Sequence, residues 1–167
     1  MSATEHKAMA PRQVRVFVLT VSDTRTDDTD TAGFAICELL KANHHVVAGK
    51  AIEKDEPVRV AELVRQQAVI GDVDAIITTG GTGLTSRDST FEAIDALLTK
   101  RIPGFGELFR MLSYHDIGSA AMMSRACAGT IGRIVVISLP GSEKAVRLAM
   151  DKLVIPELAH LVQQATK

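Results

Sequence analysis

The chain has 167 residues, the length of one ordinary domain, and can bury a core without disulfide bonds or metal staples. Its 19 Lys and Arg residues nearly balance its 20 Asp and Glu residues, which argues against a general nucleic-acid-binding or basic membrane-surface protein. Aromatic residues make up 4% and Trp is absent, so no base-stacking surface is expected. No apolar stretch is long enough to span a bilayer, so we expect no membrane segment.

The cysteines and histidines form no metal or disulfide pattern. Cys37 and Cys127 lie far apart and outside any C-x-x-C pair, which favours buried thiols in a reducing cytosol. The five histidines show no ligand spacing, which argues against an all-protein transition-metal site. Residues 1–13 lack an apolar core and are predicted to be a disordered N-terminal tail rather than a secretory signal. We therefore expect a cytoplasmic protein.

Apolar periodicity predicts alternating strands and helices in chain order. Runs rich in β-branched residues predict strands at 14–21, 45–52, 74–78 and 133–139. Helical spacing predicts helices at 32–42, from Pro57 onward, around 91–98, at 103–117 and through 146–154, where Pro156 should kink or interrupt the last one. Segment 119–132, rich in small residues, has no clear assignment. The alternation predicts one α/β domain over 14–167, with a mainly parallel sheet and helices on both faces.

Unusual loops follow the predicted strands, at 22–31, 54–57, 79–88 and 140–142. Ligands of open α/β sheets bind outside the carboxyl ends of the strands, so these loops are the candidate site. The run Thr79, Gly80, Gly81, Thr82, Gly83 lies between a strand and a helix, where glycines let backbone N–H groups approach a phosphate. It matches neither the dinucleotide nor the P-loop motif. The alternative is a tight turn without a ligand.

Two carboxylates lie beside this loop. Asp88 directly precedes Ser89 to Glu92, which match a capping box and would leave Asp88 free to face a ligand. Asp55 lies in the 54–57 turn. Together they could hold Mg²⁺, which prefers carboxylate, water and phosphate oxygens. The alternatives are that Asp88 only favours the helix dipole and that Asp55 only caps a helix.

Three further segments contribute candidates. The acidic loop that begins with Ser22 and Asp23 either shapes a ligand site or is a solvated loop, since Arg25 stands where an aspartyl phosphotransferase needs a second Asp. The turn Pro140, Gly141, Ser142 either forms a second anion site or places Ser142 as a plain N-cap. The polar pair Ser124 and Arg125 interrupts a segment of small and apolar residues. Arg125 could bind phosphate through two hydrogen bonds or make a structural salt bridge.

These motifs occur together and in order: V-L-T-V-S-D-T, T-G-G-T-G-L-T-x-x-D at 79–88, P-G-F-G-E at 103–107, S-R at 124–125 and L-P-G-S at 139–142. The set resembles the MoaB/Mog family of molybdenum cofactor biosynthesis, whose molybdopterin-binding domain also occurs within gephyrin and its plant relative. The resemblance covers about residues 14–165. The segments R-M-L-S-Y-H-D-I-G and T-D-D-T-D-T-A-G look more like the MoaB branch.

The resemblance implies a three-layer αβα sandwich, a homo-oligomer (trimer or hexamer) and adenylylation of molybdopterin by ATP and Mg²⁺ with release of pyrophosphate. It also implies a partner that inserts molybdate. By motif, Asp88 and Asp55 match the catalytic and Mg²⁺-handling residues. The loop from Gly80 to Gly83 matches the phosphate contacts, and Ser124, Arg125, Gly141 and Ser142 match the molybdopterin pocket.

One motif departs from the family. Its Pro-Asp-Glu turn reads Lys54-Asp55-Glu56-Pro57 here, so Asp55 is expected to point differently, which bears on catalytic efficiency rather than on ligand binding. The alternative function is a non-catalytic molybdopterin carrier or scaffold. A weaker alternative is an unrelated sugar-phosphate or nucleotide enzyme.

Overall fold

The computed structural model describes residues 2–11, 13–70 and 72–167. The strands are β1 (Arg15–Val21), β2 (Val46–Glu53), β3 (Ala75–Thr79), β4 (Lys100–Arg101), β5 (Cys127–Ile131) and β6 (Ile134–Leu139). The α-helices are α1 (Ala3–Ala8), α2 (Thr31–Ala42), α3 (Pro57–Ile70), α4 (Thr90–Leu97), α5 (Pro103–Ile117), α6 (Glu143–Ala149) and α7 (Ile155–Thr166). A 3₁₀ helix (Gly118–Met123) follows α5, and a π-helical segment (Met150–Val154) joins α6 to α7.

The strands form one sheet in the order β2-β1-β3-β6-β5-β4. Strands β2, β1, β3 and β6 run parallel, whereas β5 pairs antiparallel with both β6 and β4. The chain leaves β1 for β2 on one side and returns to β3 on the other, so the strand order reverses between β1 and β3. The carboxyl ends of the four parallel strands therefore meet at one edge of the sheet, as predicted.

Helices cover both faces of the sheet, which confirms the three-layer α/β prediction. One apolar layer packs Val16 and Ile137 against α2, α5, α6 and α7, with Phe109 and Leu158 fully enclosed. The other layer packs alternate strand residues such as Leu19 against α3 and α4. Both faces of β1 and β3 are buried, which is why these strands are nearly continuous β-branched runs.

Of the two predictions about the chain ends, the one about the N-terminal segment differs from the structure. The segment predicted as a disordered tail contains helix α1, whose Lys7 forms an ion pair with Glu157 of α7. The predicted interruption near Pro156 is present: the π-helical segment lies directly before the first turn of α7, which contains Pro156.

The segment left unassigned, 119–132, supplies the 3₁₀ helix and strand β5. A tight hairpin connects β5 to β6, with the exposed Gly132 at a φ of 57° in its turn. Because β6 begins at this hairpin, the turn lies at the edge of the sheet opposite the carboxyl ends of the parallel strands.

Candidate functional site

A cleft of about 420 Å³ opens at the carboxyl ends of β3 and β6 and is called the main cleft below. Its walls come from the loop after β3, the turn after β6, helix α5 and the 3₁₀ helix. The predicted site residues that line it are Gly81, Thr82, Gly83, Asp88, Ser124, Pro140, Gly141 and Ser142. The structure thus brings together residues from three segments that are distant in sequence.

The glycine-rich loop leaves several backbone donors unused. Gly80 and Gly81 have φ values of 100° and 69°, a conformation that favours glycine. The Gly80 N–H donates to the carbonyl of Leu139 at 3.0 Å. By contrast, the N–H groups of Thr82, Gly83 and Leu84 have no hydrogen-bond partner within the part of the chain that the structure describes. Consecutive free N–H groups form an anion-binding concavity.

Asp88 reaches the main cleft, but not for the predicted reason. The capping-box prediction is wrong, because the Ser89 side chain makes no capping hydrogen bond to α4. Asp88 is half-buried, and its Oδ2 accepts hydrogen bonds from the Thr85 N–H at 2.9 Å and the Thr85 hydroxyl at 2.7 Å. These two bonds fix the carboxylate in a tight turn while its Oδ1 has no hydrogen bond in the described structure.

Asp55 lies beneath the loop rather than in the lining of the main cleft. It is 6% exposed, and its Oδ1 accepts the Ser89 hydroxyl at 2.7 Å and the Ser89 N–H at 3.3 Å. A Cβ on Gly81 would lie 2.7 Å from Asp55 Oδ2, so the carboxylate abuts the glycine-rich loop. Asp55 therefore joins the loop after β2 to the start of α4.

Asp23 connects the same loops from another side. Its carboxylate accepts two hydrogen bonds from Arg87, at 2.9 and 3.0 Å, and a third from the Asp55 N–H at 3.2 Å. The hydrogen bonds from Arg87, followed by the one from Asp55, hold the pKa of Asp23 below its usual value. This network ties together the loops that follow β1, β2 and β3.

A small pocket of about 80 Å³ lies at the reversal of strand order, and Ser22, Thr79, Gly80 and Gly141 contribute to its lining. The Ser22 hydroxyl accepts the N–H groups of the next turn, and the Thr79 hydroxyl donates to the Pro140 carbonyl at 2.7 Å. The Ser22 hydroxyl thus fixes the loop after β1, and the Thr79 hydroxyl joins the ends of β3 and β6.

Ser142 and Arg125 both have clear local roles. The Ser142 hydroxyl accepts the Ala145 N–H at 3.2 Å, which confirms that Ser142 caps α6. Arg125 bonds to the carbonyls of the glycine-rich loop and to Glu92, and it lines a neighbouring cavity of about 400 Å³ rather than the main cleft. The hydrogen bond from Arg125 lowers the pKa of Glu92.

Some residues of the site escaped sequence analysis. Other side chains that line the main cleft are Phe109, Ser113, Ile117, Met123 and Ala145. Asp30, at 1% exposure, caps α2 and pairs with Lys50, which anchors the loop after β1. Its position two residues before the predicted helix 32–42 is the signal that could have identified it as an N-cap.

No group of three His, Cys, Asp or Glu side chains suited to a metal occurs within residues 2–11, 13–70 and 72–167. None of the helices in these same ranges has the length and apolarity needed to cross a membrane.

Comparison with known proteins identifies the fold and its family. Residues 17–160 match the family described as "Probable molybdopterin binding domain". Molybdenum cofactor biosynthesis protein B of Bacillus anthracis is 56% identical over 162 residues, which covers 96% of each chain.

Solved structures agree with this match. A crystal structure of Molybdenum cofactor biosynthesis protein B shares 53% identity and a TM-score of 0.91, over 95% of this chain and 99% of that one. The tungsten cofactor synthesizing protein MoaB of Pyrococcus furiosus shares 36% identity and a TM-score of 0.82, over 95% and 100%. With its fold and nearly its whole length matched, the chain belongs to the molybdopterin-binding domain family of the MoaB and Mog proteins.

Proposed function

We propose that the protein binds molybdopterin in the main cleft and adenylylates it with Mg²⁺ and ATP, releasing pyrophosphate. A role in molybdenum cofactor biosynthesis follows from the family. The adenylylation step is our extension of that role to the chemistry of this site.

One observation carries the proposal: the free N–H groups of Thr82, Gly83 and Leu84 lie in the loop that lines the cleft with Asp88. Free backbone donors favour a phosphate group, and both proposed substrates carry phosphate. The cleft also offers apolar walls from Ile117 and Met123, which suit the body of an organic ligand.

The carboxylates fit a magnesium ion bound jointly with substrate. Asp88 is held through one oxygen and keeps the other without a hydrogen bond, and Mg²⁺ is usually held by one or two carboxylates together with phosphates and water. Asp55 would be the second carboxylate, through its Oδ2. When bound, the ion would neutralise charge on the phosphates and aid departure of pyrophosphate.

The chain contributes positioning. The terminal phosphate of molybdopterin attacks the α-phosphorus of ATP, a new P–O bond forms, and the bond to the β-phosphate breaks as pyrophosphate leaves. The loop N–H groups orient a phosphate, and Asp55 fixes the start of α4 and thereby the loop. No covalent intermediate on the protein is required, because orientation supplies a large share of the rate enhancement.

A molybdopterin carrier or scaffold is the second candidate. It is favoured by the hydrogen bonds of Asp55 to Ser89, which already engage one oxygen of that carboxylate. A carrier would bind the pterin but would not need a saturable site for Mg²⁺ and ATP.

The test is pyrophosphate release from purified protein given molybdopterin, ATP and Mg²⁺, singly and together. Asp88→Asn should slow release at least ~100-fold while pterin binding, followed by fluorescence, stays nearly intact. Asp151→Asn, at an exposed position in the π-helical segment, is the matched control. Pterin binding without release would support the carrier, and equal loss of binding and release in Asp88→Asn would contradict the role of Asp88.

We also propose that the protein forms a trimer or hexamer and meets a molybdate-inserting partner. Exposed apolar side chains on α5 and the 3₁₀ helix support an interface: Leu108, Met111, Tyr114, Ile117 and Met122. Light scattering during size-exclusion chromatography gives the oligomer mass. A monomer at micromolar concentration would contradict this part of the proposal.

A further inference from the structure

The carbonyl groups of the glycine-rich loop are held by Arg125. Its Nε donates to the Thr82 carbonyl at 3.3 Å, and its Nη2 donates to the Gly83 carbonyl at 2.5 Å. In a trans peptide, the C=O and the following N–H point in opposite directions. The N–H groups of Gly83 and Leu84 therefore point away from Arg125.

Arg125 contacts this loop without lining the main cleft. The cleft is lined by Thr82 and Gly83 but not by Arg125, which lines the neighbouring cavity instead. The two carbonyls that Arg125 holds therefore belong to residues that line the main cleft, whereas the guanidinium itself does not line it.

The guanidinium itself is held in place. Its Nη1 forms an ion pair with Glu92 of α4, and its carbon lies 5.1 Å from the centre of the Phe91 ring. Each of its three nitrogens therefore has a partner. A planar guanidinium fixed by a carboxylate and an aromatic ring can set the direction of two successive carbonyls more rigidly than a lysine ammonium on its flexible stem.

We propose that Arg125 is a positioning residue that turns the carbonyls of Thr82 and Gly83 away from the main cleft and so directs two N–H groups toward the bound anion. Arg125 does not touch the ligand. Glu92 contributes to the same arrangement, because its ion pair holds the Arg125 guanidinium in place. This inference rests on the proposed function in one respect: the proposed function identifies the bound anion as a substrate phosphate.

A direct contact between Arg125 and phosphate makes a different prediction. In that case Glu92 competes for the guanidinium, and Glu92→Gln would free Arg125 and strengthen anion binding. If Arg125 acts through the loop, Glu92→Gln loosens the guanidinium and weakens binding. A lysine at position 125 would preserve most of a direct contact but little of the two-carbonyl arrangement.

The experiment titrates the full chain, labelled with ¹⁵N and ¹³C, with inorganic pyrophosphate and separately with Mg²⁺ and ATP. Amide signals of Gly83 and Leu84 report the anion, and carbonyl signals of Thr82 and Gly83 report the contact with Arg125. The variants are Arg125→Lys, Arg125→Gln and Glu92→Gln. The control is Arg101→Lys, whose fork is bonded to Asp95 away from the loop.

We expect both amide signals to shift in the wild type and in the control. Both Arg125 variants should bind about 10-fold more weakly or worse, with altered carbonyl signals before ligand is added. Glu92→Gln should bind about 2- to 5-fold more weakly, because it retains the fork but loses its ion pair.

Three results would overturn the inference: wild-type amides of Gly83 and Leu84 that respond to neither anion, wild-type affinity in Arg125→Lys, or tighter binding in Glu92→Gln. A different result would show that the proposed function is wrong. If the amide signals respond as expected but no pyrophosphate is released from ATP and molybdopterin, the role of Arg125 stands and the adenylylation does not.

Discussion

Replacing Asp30 by Asn tests how the loop after β1 is anchored. Asp30 Oδ2 accepts the Thr20 hydroxyl at 2.7 Å and lies 2.6 Å from Lys50 Nζ, while Oδ1 accepts the Gly33 N–H at 3.0 Å. The carboxylate thus joins β1, β2 and the start of α2. Asparagine has nearly the same size and caps helices about as well, so the change removes mainly the negative charge.

The expected loss follows from the burial of the pair. Asp30 is 1% exposed, and the Lys50 side chain is 17% exposed. Removing one partner of a fully buried ion pair costs about 3–5 kcal/mol. The Lys50 ammonium is itself buried, but it keeps the Phe34 ring at 5.1 Å and Asp27 Oδ1 at 3.8 Å as partners, so we expect the free energy of unfolding to fall by about 2–3 kcal/mol at pH 7.

The pH dependence gives a second check. Burial opposes ionisation of Asp30, but the hydrogen bonds from Lys50, Thr20 and the Gly33 N–H outweigh it, so its pKa lies below the usual value. Stabilisation by the ionised group is then fully present above the unfolded-state pKa of about 4 and is lost as the pH falls through the lower folded-state pKa. The difference between wild type and variant should be constant from about pH 5 to 7 and narrow below about pH 4.

Urea unfolding followed by circular dichroism measures this difference, with Asp28→Asn, at an exposed position in the same loop, as the matched control. A difference below about 0.5 kcal/mol at pH 7 would refute the reasoning, because it lies within the range of ordinary surface substitutions. A difference that persists unchanged in acid would show that the charge of Asp30 is not its source.

Three further changes test other parts of the site. Gly81→Ala should destabilise the fold by at least about 1 kcal/mol in thermal unfolding, because a Cβ there would collide with the Thr90 hydroxyl and the residue has a positive φ. Burial raises the pKa of Cys127 to about 11, so alkylation of the folded protein at pH 8, followed by mass spectrometry, should be far slower than in urea. Arg87→Gln should return the pKa of Asp23 toward its usual value, as measured by carbon NMR titration, because it removes the hydrogen bonds that lower it.

Much of the fold follows from local signals in the sequence. The runs that form β1, β3 and β6 are apolar because both their faces are buried, and the predicted helix 103–117 matches α5. The antiparallel edge was not predictable in the same way. Strand β4 consists of the exposed pair Lys100 and Arg101, and β5 is built from small residues, so neither has a distinctive apolar pattern.

The residues that form the site were more predictable than the hydrogen bonds between them. Parallel strands bring their carboxyl ends together, and this alone gathers the loop residues into one region. The direction of each side chain depends on contacts between distant segments. Ser89 bonds to Asp55, 34 residues away, instead of capping its own helix, and Arg125 reaches carbonyls 42 and 43 residues away. No local pattern in the sequence encodes such contacts.

The hairpin between β5 and β6 is a suitable site for attaching a label or tag. Gly132 and Arg133 are exposed, and they lie at the edge of the sheet opposite the main cleft. Exposed turns with small residues tolerate insertions well. A fluorophore or a short immobilisation tag placed there would leave the cleft open to solution, so substrate capture could be followed on surface-attached single molecules.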